Sequence, residues 1–148
     1  MRAEAMLVPV LVMAMAFSCD GSTGPRGFPH AVATRNCGPA DGPATSILLA
    51  RNPIPSLAPD YPYVQINIWQ AVNEIAGRTY LIGDTAGGLT ARYYAASGQF
   101  AEASAGSVRI SRVDSDNRVV GAVELRFPTR FVSEGFSAPW IESLVLCG

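Results

Sequence analysis

Apolar and polar residues alternate one by one from Val64 through Ile66 to Ile68, with Gln65 and Asn67 between them. Successive side chains of an extended chain point to opposite faces, so this period of two predicts a half-buried strand. Two further alternating runs, residues 107–113 and 118–127, flank Asp114-Ser115-Asp116-Asn117. Val108 and Ile110 share a face of the first run; Val119, Gly121, Val123, Leu125 and Phe127 share a face of the second. Turn-forming residues between two such runs predict an antiparallel hairpin. Shorter strand candidates are residues 46–50, 79–82, 90–95, 130–136 and 144–147. Ala71 to Ile75 has room for one helical turn, but Gly77 follows at once, and the segment reads as a loop. Pro53, Pro55, Pro59 and Pro62 exclude both a helix and a central strand between residues 52 and 62, which reads as a stiff surface loop. Long helical periodicity is absent. About seven or eight short strands with frequent turns predict an all-β domain, either an antiparallel β-sandwich or an up-and-down β-barrel.

The N-terminal pattern is different. Residues 7–17 form an uninterrupted apolar run, preceded by Arg2 and Glu4. Eleven residues are too few to span a bilayer, which takes about 20, but they fit the about 7–15-residue core of a secretory signal. Cys19 follows the run directly. Ala16-Phe17-Ser18-Cys19 resembles the bacterial lipobox, with Ala16 where Leu is usual and Phe17 where a small residue is usual. An ordinary secretory cut is the alternative, since Ala14-Met15-Ala16 and Ala16-Phe17-Ser18 both offer small residues at alternate positions. An uncleaved anchor is the third reading. The expected organisation is a signal peptide over residues 1–18, a lipid-modified Cys19, a flexible tether over 19–36 and an all-β domain over 37–148. The tether rests on composition: Gly, Pro, Ser and Thr with little apolar patterning do not bury enough surface to order a chain.

Cysteine parity fits this organisation. Three cysteines leave one unpaired in an exported chain unless Cys19 carries lipid, in which case Cys37 and Cys147 remain as an even pair. An oxidising compartment favours a disulfide between them over two free thiols. His30, the only histidine, falls in the expected tether, and nothing near Cys37 or Cys147 has zinc-ligand spacing. No metal or other cofactor is expected.

Net charge is −1 over 148 residues, which points to neither a nucleic-acid partner nor a strongly basic face. All eleven basic residues are arginine, a bias in keeping with heavy Ala, Gly and Pro usage rather than with phosphate recognition. Imidazole-based hydrolysis needs a histidine held by the fold, and His30 does not qualify. No nucleophile elbow or phosphate loop occurs; Gly83-Asp84-Thr85-Ala86-Gly87-Gly88 has glycine spacing without a following lysine. Glu124, Glu134 and Glu142, the carboxylates open to a glycosidase role, show no patterning beyond solvent-facing positions. Asp114, Asp116 and Asn117 lack the glycine and terminal glutamate of a calcium loop and read as a turn. Neither catalysis nor a metal site is expected.

The one candidate binding face is the polar side of the Val64–Ile68 alternation. Tyr63, Gln65, Asn67 and Trp69 fall there together, and amides flanked by aromatic rings can grip a sugar or a peptide strand. The competing reading is an ordinary solvent face on which the proline-rich loop covers both rings. Trp140, after Pro139, reads as a core plug near the disulfide.

Gly106-Ser107-Val108-Arg109-Ile110, Val113-Asp114, Val119-Val120-Gly121 and Gly135-Phe136-Ser137-Ala138 together resemble a pattern found in small, uncharacterised bacterial lipoproteins with a single β domain. Gly77-Arg78-Thr79-Tyr80-Leu81-Ile82-Gly83 is similar to another strand of that group. The resemblance spans residues 64–138 and rests on short structural motifs. It implies a calycin-like or sandwich fold and an address in the cell envelope, and it carries no catalytic residues. The expected protein is therefore a non-catalytic envelope lipoprotein, membrane-anchored and facing the periplasm or the cell exterior, or else secreted. Its β domain would bind or scaffold a partner such as a glycan or peptide. The alternative is a lipocalin-like carrier with an apolar ligand inside a barrel, in a cavity lined by Val108, Ile110, Val123 and Leu125.

Overall fold

Strong alternation in the middle of the chain becomes two β-sheets laid face to face. A computed structural model describes residues 27–84 and 88–147. The strands are β1 (His30–Cys37), β2 (Pro43–Ala50), β3 (Tyr63–Ile68), β4 (Thr79–Leu81), β5 (Leu89–Ala96), β6 (Gln99–Glu102), β7 (Ala105–Val113), β8 (Val119–Phe127), β9 (Arg130–Ala138) and β10 (Trp140–Ile141). Six form one sheet in the order β10-β1-β2-β3-β5-β6, and four form the other in the order β4-β7-β8-β9. Pairing is antiparallel except between β1 and β10. The architecture is a β-sandwich rather than a closed barrel.

The period-two faces meet between the sheets. Val64, Ile66 and Ile68 of β3 are fully buried, as are Val108 and Ile110 of β7, and all five belong to one continuous core with Val119, Val123 and Leu125 of β8. The hairpin of β7 and β8 turns at Asp114–Arg118, where Asn117 takes a left-handed φ of 59°. The turn is closed by backbone hydrogen bonds from the Asp114 N–H to the Arg118 carbonyl and from the Asn117 N–H to the Asp114 carbonyl, both 2.9 Å, and flanked by solvent-exposed ion pairs of Arg112 with Asp114 and Arg118 with Asp116.

β2 differs from its neighbours in being apolar on both sides. Ile47 and Leu49 face the core, whereas Leu48 and Ala50 face outward and are buried all the same. The cover on the outer side is the proline-rich loop: Ile54 and Leu57 pack on Val32, Leu48 and Ala50 to make a second, smaller apolar cluster. Proline removes backbone donors, and the loop uses side chains instead of a ladder to seal that face.

Three expectations are corrected. The predicted tether over 19–36 does not hold for its C-terminal part: Phe28 is buried in the core, and residues 30–37 form β1, paired to β2 from His30–Ala50 to Cys37–Pro43, so that His30, expected in the tether, is held by the fold. His-Ala-Val-Ala-Thr-Arg-Asn carries little apolar contrast, so its order comes from a long-range partner that composition does not reveal. Residues 19–26, and with them the expected lipidation at Cys19, lie outside the described residues, as does the signal peptide expected over 1–18. The strand expected over 144–147 is instead β10 at Trp140–Ile141; Leu144 and Leu146 are 100% and 92% exposed and join no ladder. Ala71–Ile75 contains a single 3-10 turn at Val72–Glu74. A short edge strand, β6, joins the sheet through four residues too few to show a period.

The chain is closed by the disulfide expected between the two cysteines that remain if Cys19 carries lipid. Cys37, at the end of β1, and Cys147 are joined by a disulfide with Cα atoms 5.5 Å apart across a sequence separation of 110. The segment from Glu142 to Cys147 is thereby laid along the outer half of β1, where Ser143 Oγ donates to the Arg35 carbonyl at 3.1 Å.

Candidate ligand-binding face

The outward positions of the six-stranded sheet form rows set by strand register. Ala50, Tyr63, Tyr94 and Phe100 lie side by side across β2, β3, β5 and β6; the next row is Leu48, Gln65, Arg92 and Glu102; the third is Ser46, Asn67 and Thr90. Three of the four residues expected on this face, Tyr63, Gln65 and Asn67, are therefore brought together. Trp69, the fourth, continues the same side one step past the end of β3. Its backbone N–H donates to the Gly88 carbonyl at 2.8 Å, extending the β3–β5 pairing past Ile68 and Leu89, and its side chain lies against Gly38 and Gly88 and lines a depression with Gly83, Asp84 and Leu89.

The aromatic row is continuous. Tyr61 and Tyr63 have ring centroids 5.4 Å apart, Tyr63 and Tyr94 4.7 Å, and Tyr94 and Phe100 5.6 Å. Tyr63 and Tyr94 are nearly parallel, at 14°, and stacked along the direction between strands. Rings stacked that way stand upright on the sheet and turn edges and hydroxyls, not faces, to solvent. The Arg92 guanidinium sits 4.9 Å from the Phe100 ring centre and makes an ion pair with Glu102 at 2.9 Å. Burial pushes the Tyr63 hydroxyl above its ordinary pKa, with Tyr94 and then Tyr61 adding to the effect, so it remains a neutral donor and acceptor at physiological pH.

Next to this row lies a groove of about 200 Å³. Its floor is Thr34 and Asn36 of β1, Ser46 of β2 and Gln65 of β3, and its walls include Pro59 from the proline-rich loop and Val145 from the disulfide-tied segment. Asn36 is held at both ends: its Nδ2 donates to Asn67 Oδ1 at 3.1 Å, and its Oδ1 accepts from the Cys37 N–H at 2.8 Å. Gln65 is not. Its Nε2 reaches Ser46 Oγ at 3.4 Å and Asn67 Oδ1 at 3.5 Å, both at the outer limit of a hydrogen bond.

Tyr94, Arg92, Ser46, Thr34 and Asn36 were missed from sequence. Tyr93-Tyr94 was visible as a pair of rings, and parity sends one of them out; which strand it would face was not visible. Trp140 is only half-buried, packs against the core and donates from its Nε1 to Glu142 at 2.8 Å, lining a cleft of about 400 Å³ with Cys147. It borders the disulfide as expected but does not plug the core. Among the carboxylates, Glu142 is occupied by that bond, Glu134 accepts from the Phe28 N–H at 3.3 Å, and Glu124 lies exposed on β8. Glu124 and Glu134 pair with Ser133 and Val123 respectively, which puts them on opposite faces of their sheet. Comparison of the chain with protein-family models, with curated proteins and with solved structures gives no match.

Proposed function

We propose that this protein is a non-catalytic lipoprotein of the bacterial cell envelope, anchored through Cys19, whose sandwich binds a partner on the outer face of its six-stranded sheet. The observation carrying the proposal is the groove walled by the proline-rich loop and the disulfide-tied segment, lying beside a continuous row of aromatic rings. Two loops without regular structure are held over an ordered sheet, an arrangement in which recognition residues usually sit on a rigid scaffold. The disulfide supports an oxidising address outside the cytoplasm. The interior supports a surface binder over the alternative carrier: Val108, Ile110, Val123 and Leu125 are at most 1% exposed and packed into the shared core.

The anchor is tested by mass spectrometry of the full chain expressed in a bacterium, where a diacylglyceryl group on Cys19 is expected and Cys19→Ser should leave the protein unlipidated. The face is tested by photo-crosslinking in cells. A crosslinker at Phe100 should capture a cell-envelope component, while one at Arg109, on the other sheet, should not. Equal capture from both positions would sink the assignment of the face.

A further inference from the structure

We propose that the groove takes a neutral, hydroxyl-rich ligand, a single sugar ring of an uncharged glycan. The inference rests on the reading of this face as the binding surface and names the chemistry it would recognise. The outer side of β1 and β2 changes character along its length. Where Val32, Leu48 and Ala50 lie, the proline-rich loop closes over them and excludes water. Two residues further along each strand the same face becomes Thr34 and Ser46, then Asn36. Thr34 and Ser46 are 7% and 2% exposed, so hydroxyls have been placed at the bottom of the groove where aliphatic residues would bury more cheaply.

The polar capacity of that floor is only partly used within the protein. Thr34 Oγ1 donates to the Ile141 carbonyl at 2.7 Å, which leaves its oxygen free to accept. Gln65 Nε2 has only its two long contacts, and Gln65 Oε1 has no hydrogen-bond partner among the described residues; Asn67, which holds Asn36, lies just outside the lining. Donors and acceptors of both kinds, uncharged and close together, match vicinal sugar hydroxyls, each of which donates once and accepts. The lining includes no carboxylate, and Arg35 is its one charged side chain, so a cation or a multiply charged anion is poorly served. Leu57, Pro59 and Val145 supply the apolar surface against which the C–H side of a ring would lie.

Size and access narrow the class. About 200 Å³ is below the about 300–1,000 Å³ of sites that enclose drug-sized molecules, so one ring of a longer chain fits better than a whole ligand. The upright tyrosines do not form a flat stacking platform, and recognition falls to the amides and hydroxyls. An extended peptide would bind best by adding a strand to a free sheet edge. The β1 edge beside this groove is already occupied, by β10 at Ala33 and Thr34 and by the disulfide-tied segment after it.

The test is NMR of the full mature chain, following the side-chain amide signals of Asn36, Gln65 and Asn67. The probes are maltohexaose, cellohexaose, chitohexaose and mannohexaose, a charged hexagalacturonate, and a pool of uncharged hexapeptides. At least one neutral hexasaccharide should shift those signals saturably at up to about 10 mM, and Gln65→Leu should weaken that binding about tenfold. The backbone spectrum of Gln65→Leu should stay dispersed, and the wild-type shifts stand on their own if the variant does not fold. Shifts of these amides by the peptides or the charged sugar alone would overturn the neutral-sugar assignment while leaving the face as the binding surface. No shift of these amides by any neutral hexasaccharide, with shifts elsewhere or none, overturns it as well.

Discussion

Tyr63 of β3 and Tyr94 of β5 stand directly opposite one another, their rings stacked 4.7 Å apart and 14° from parallel. The pair ties the centre of the six-stranded sheet to its outer strands, and it belongs to a row that begins at Tyr61 and ends at Phe100. Aromatic cross-strand pairs contribute about 0.5–1.5 kcal/mol beyond the area they bury. A double-mutant cycle of Tyr63→Ala and Tyr94→Ala in urea denaturation should return a coupling energy of that size. Additive effects would mean that the stacking seen between the rings contributes nothing to stability.

The Cys37–Cys147 bond closes a loop set by a sequence separation of 110. On the chain-entropy account a loop of that length adds up to about 4–5 kcal/mol, often less. Reduction, or Cys37→Ser with Cys147→Ser, should lower the unfolding free energy by a few kcal/mol. Because the segment bearing Val145 loses its tether, the Asn36 side-chain amide signal should broaden or move as well. Unchanged stability after complete reduction would contradict the closure argument.

Gly106 has φ of 128°, and a Cβ there would collide with the Glu124 carbonyl oxygen of the neighbouring strand. Gly106→Ala should therefore cost about 1–3 kcal/mol from the backbone alone and more from the displaced ladder. Gly98 is the control. Its φ of 71° is also left-handed, but nothing lies within 4 Å of an added Cβ, so Gly98→Ala should cost about 1 kcal/mol. Thermal melts of the two variants should rank in that order.

Leucines in this chain differ sharply in burial. Leu125 is fully buried in the shared core, and Leu125→Ala should destabilise by about 2–5 kcal/mol. Leu144 is fully exposed, and Leu144→Ala should stay within about 0.5 kcal/mol of the parent in urea denaturation.

The Tyr80 hydroxyl donates to Gln70 Oε1 at 2.6 Å. Burial is the largest influence on it and raises its pKa above the ordinary 10.0; Arg78 pulls the other way and Glu74 adds to the rise. In alkali the unfolded chain gives up this proton first. The stability linked to the neutral phenol is therefore complete below pH 10.0 and is lost as pH climbs through the folded-state value. The unfolding free energy should be level in this respect up to that pH and fall beyond it. Tyr80→Phe should lower the plateau by about 0.5–1.5 kcal/mol, for the lost hydrogen bond, and flatten the fall.

Part of the candidate face was legible from residues 63–67 alone, because alternation assigns faces without knowledge of any partner strand. Gln65 and Asn67 had to point away from Val64, Ile66 and Ile68. The remainder came from strands distant in sequence. Asn36 reaches Asn67 only because β1 pairs with β2 and β2 with β3, and nothing in the weakly patterned stretch before Cys37 announces a strand. Trp69 has the same parity as Gln65 and Asn67 and extends their side of the sheet, lying against Gly38 and Gly88.

Local chemistry along the chain was enough to determine an all-β domain, the inward and outward sides of β3, β7 and β8, and the turn between the last two; three cysteines allow three pairings, and Cys37 with Cys147 followed only on the expectation that Cys19 carries lipid. The faces and the turn follow from strand geometry and turn propensity, both short-range. Tertiary structure alone decided that the sheets stay separate as a sandwich, that residues 30–37 are drawn in as β1, and that the proline-rich loop and the C-terminal segment wall one groove. Those outcomes depend on which apolar faces can close on one another, and that is a property of the whole assembled chain rather than of any stretch within it.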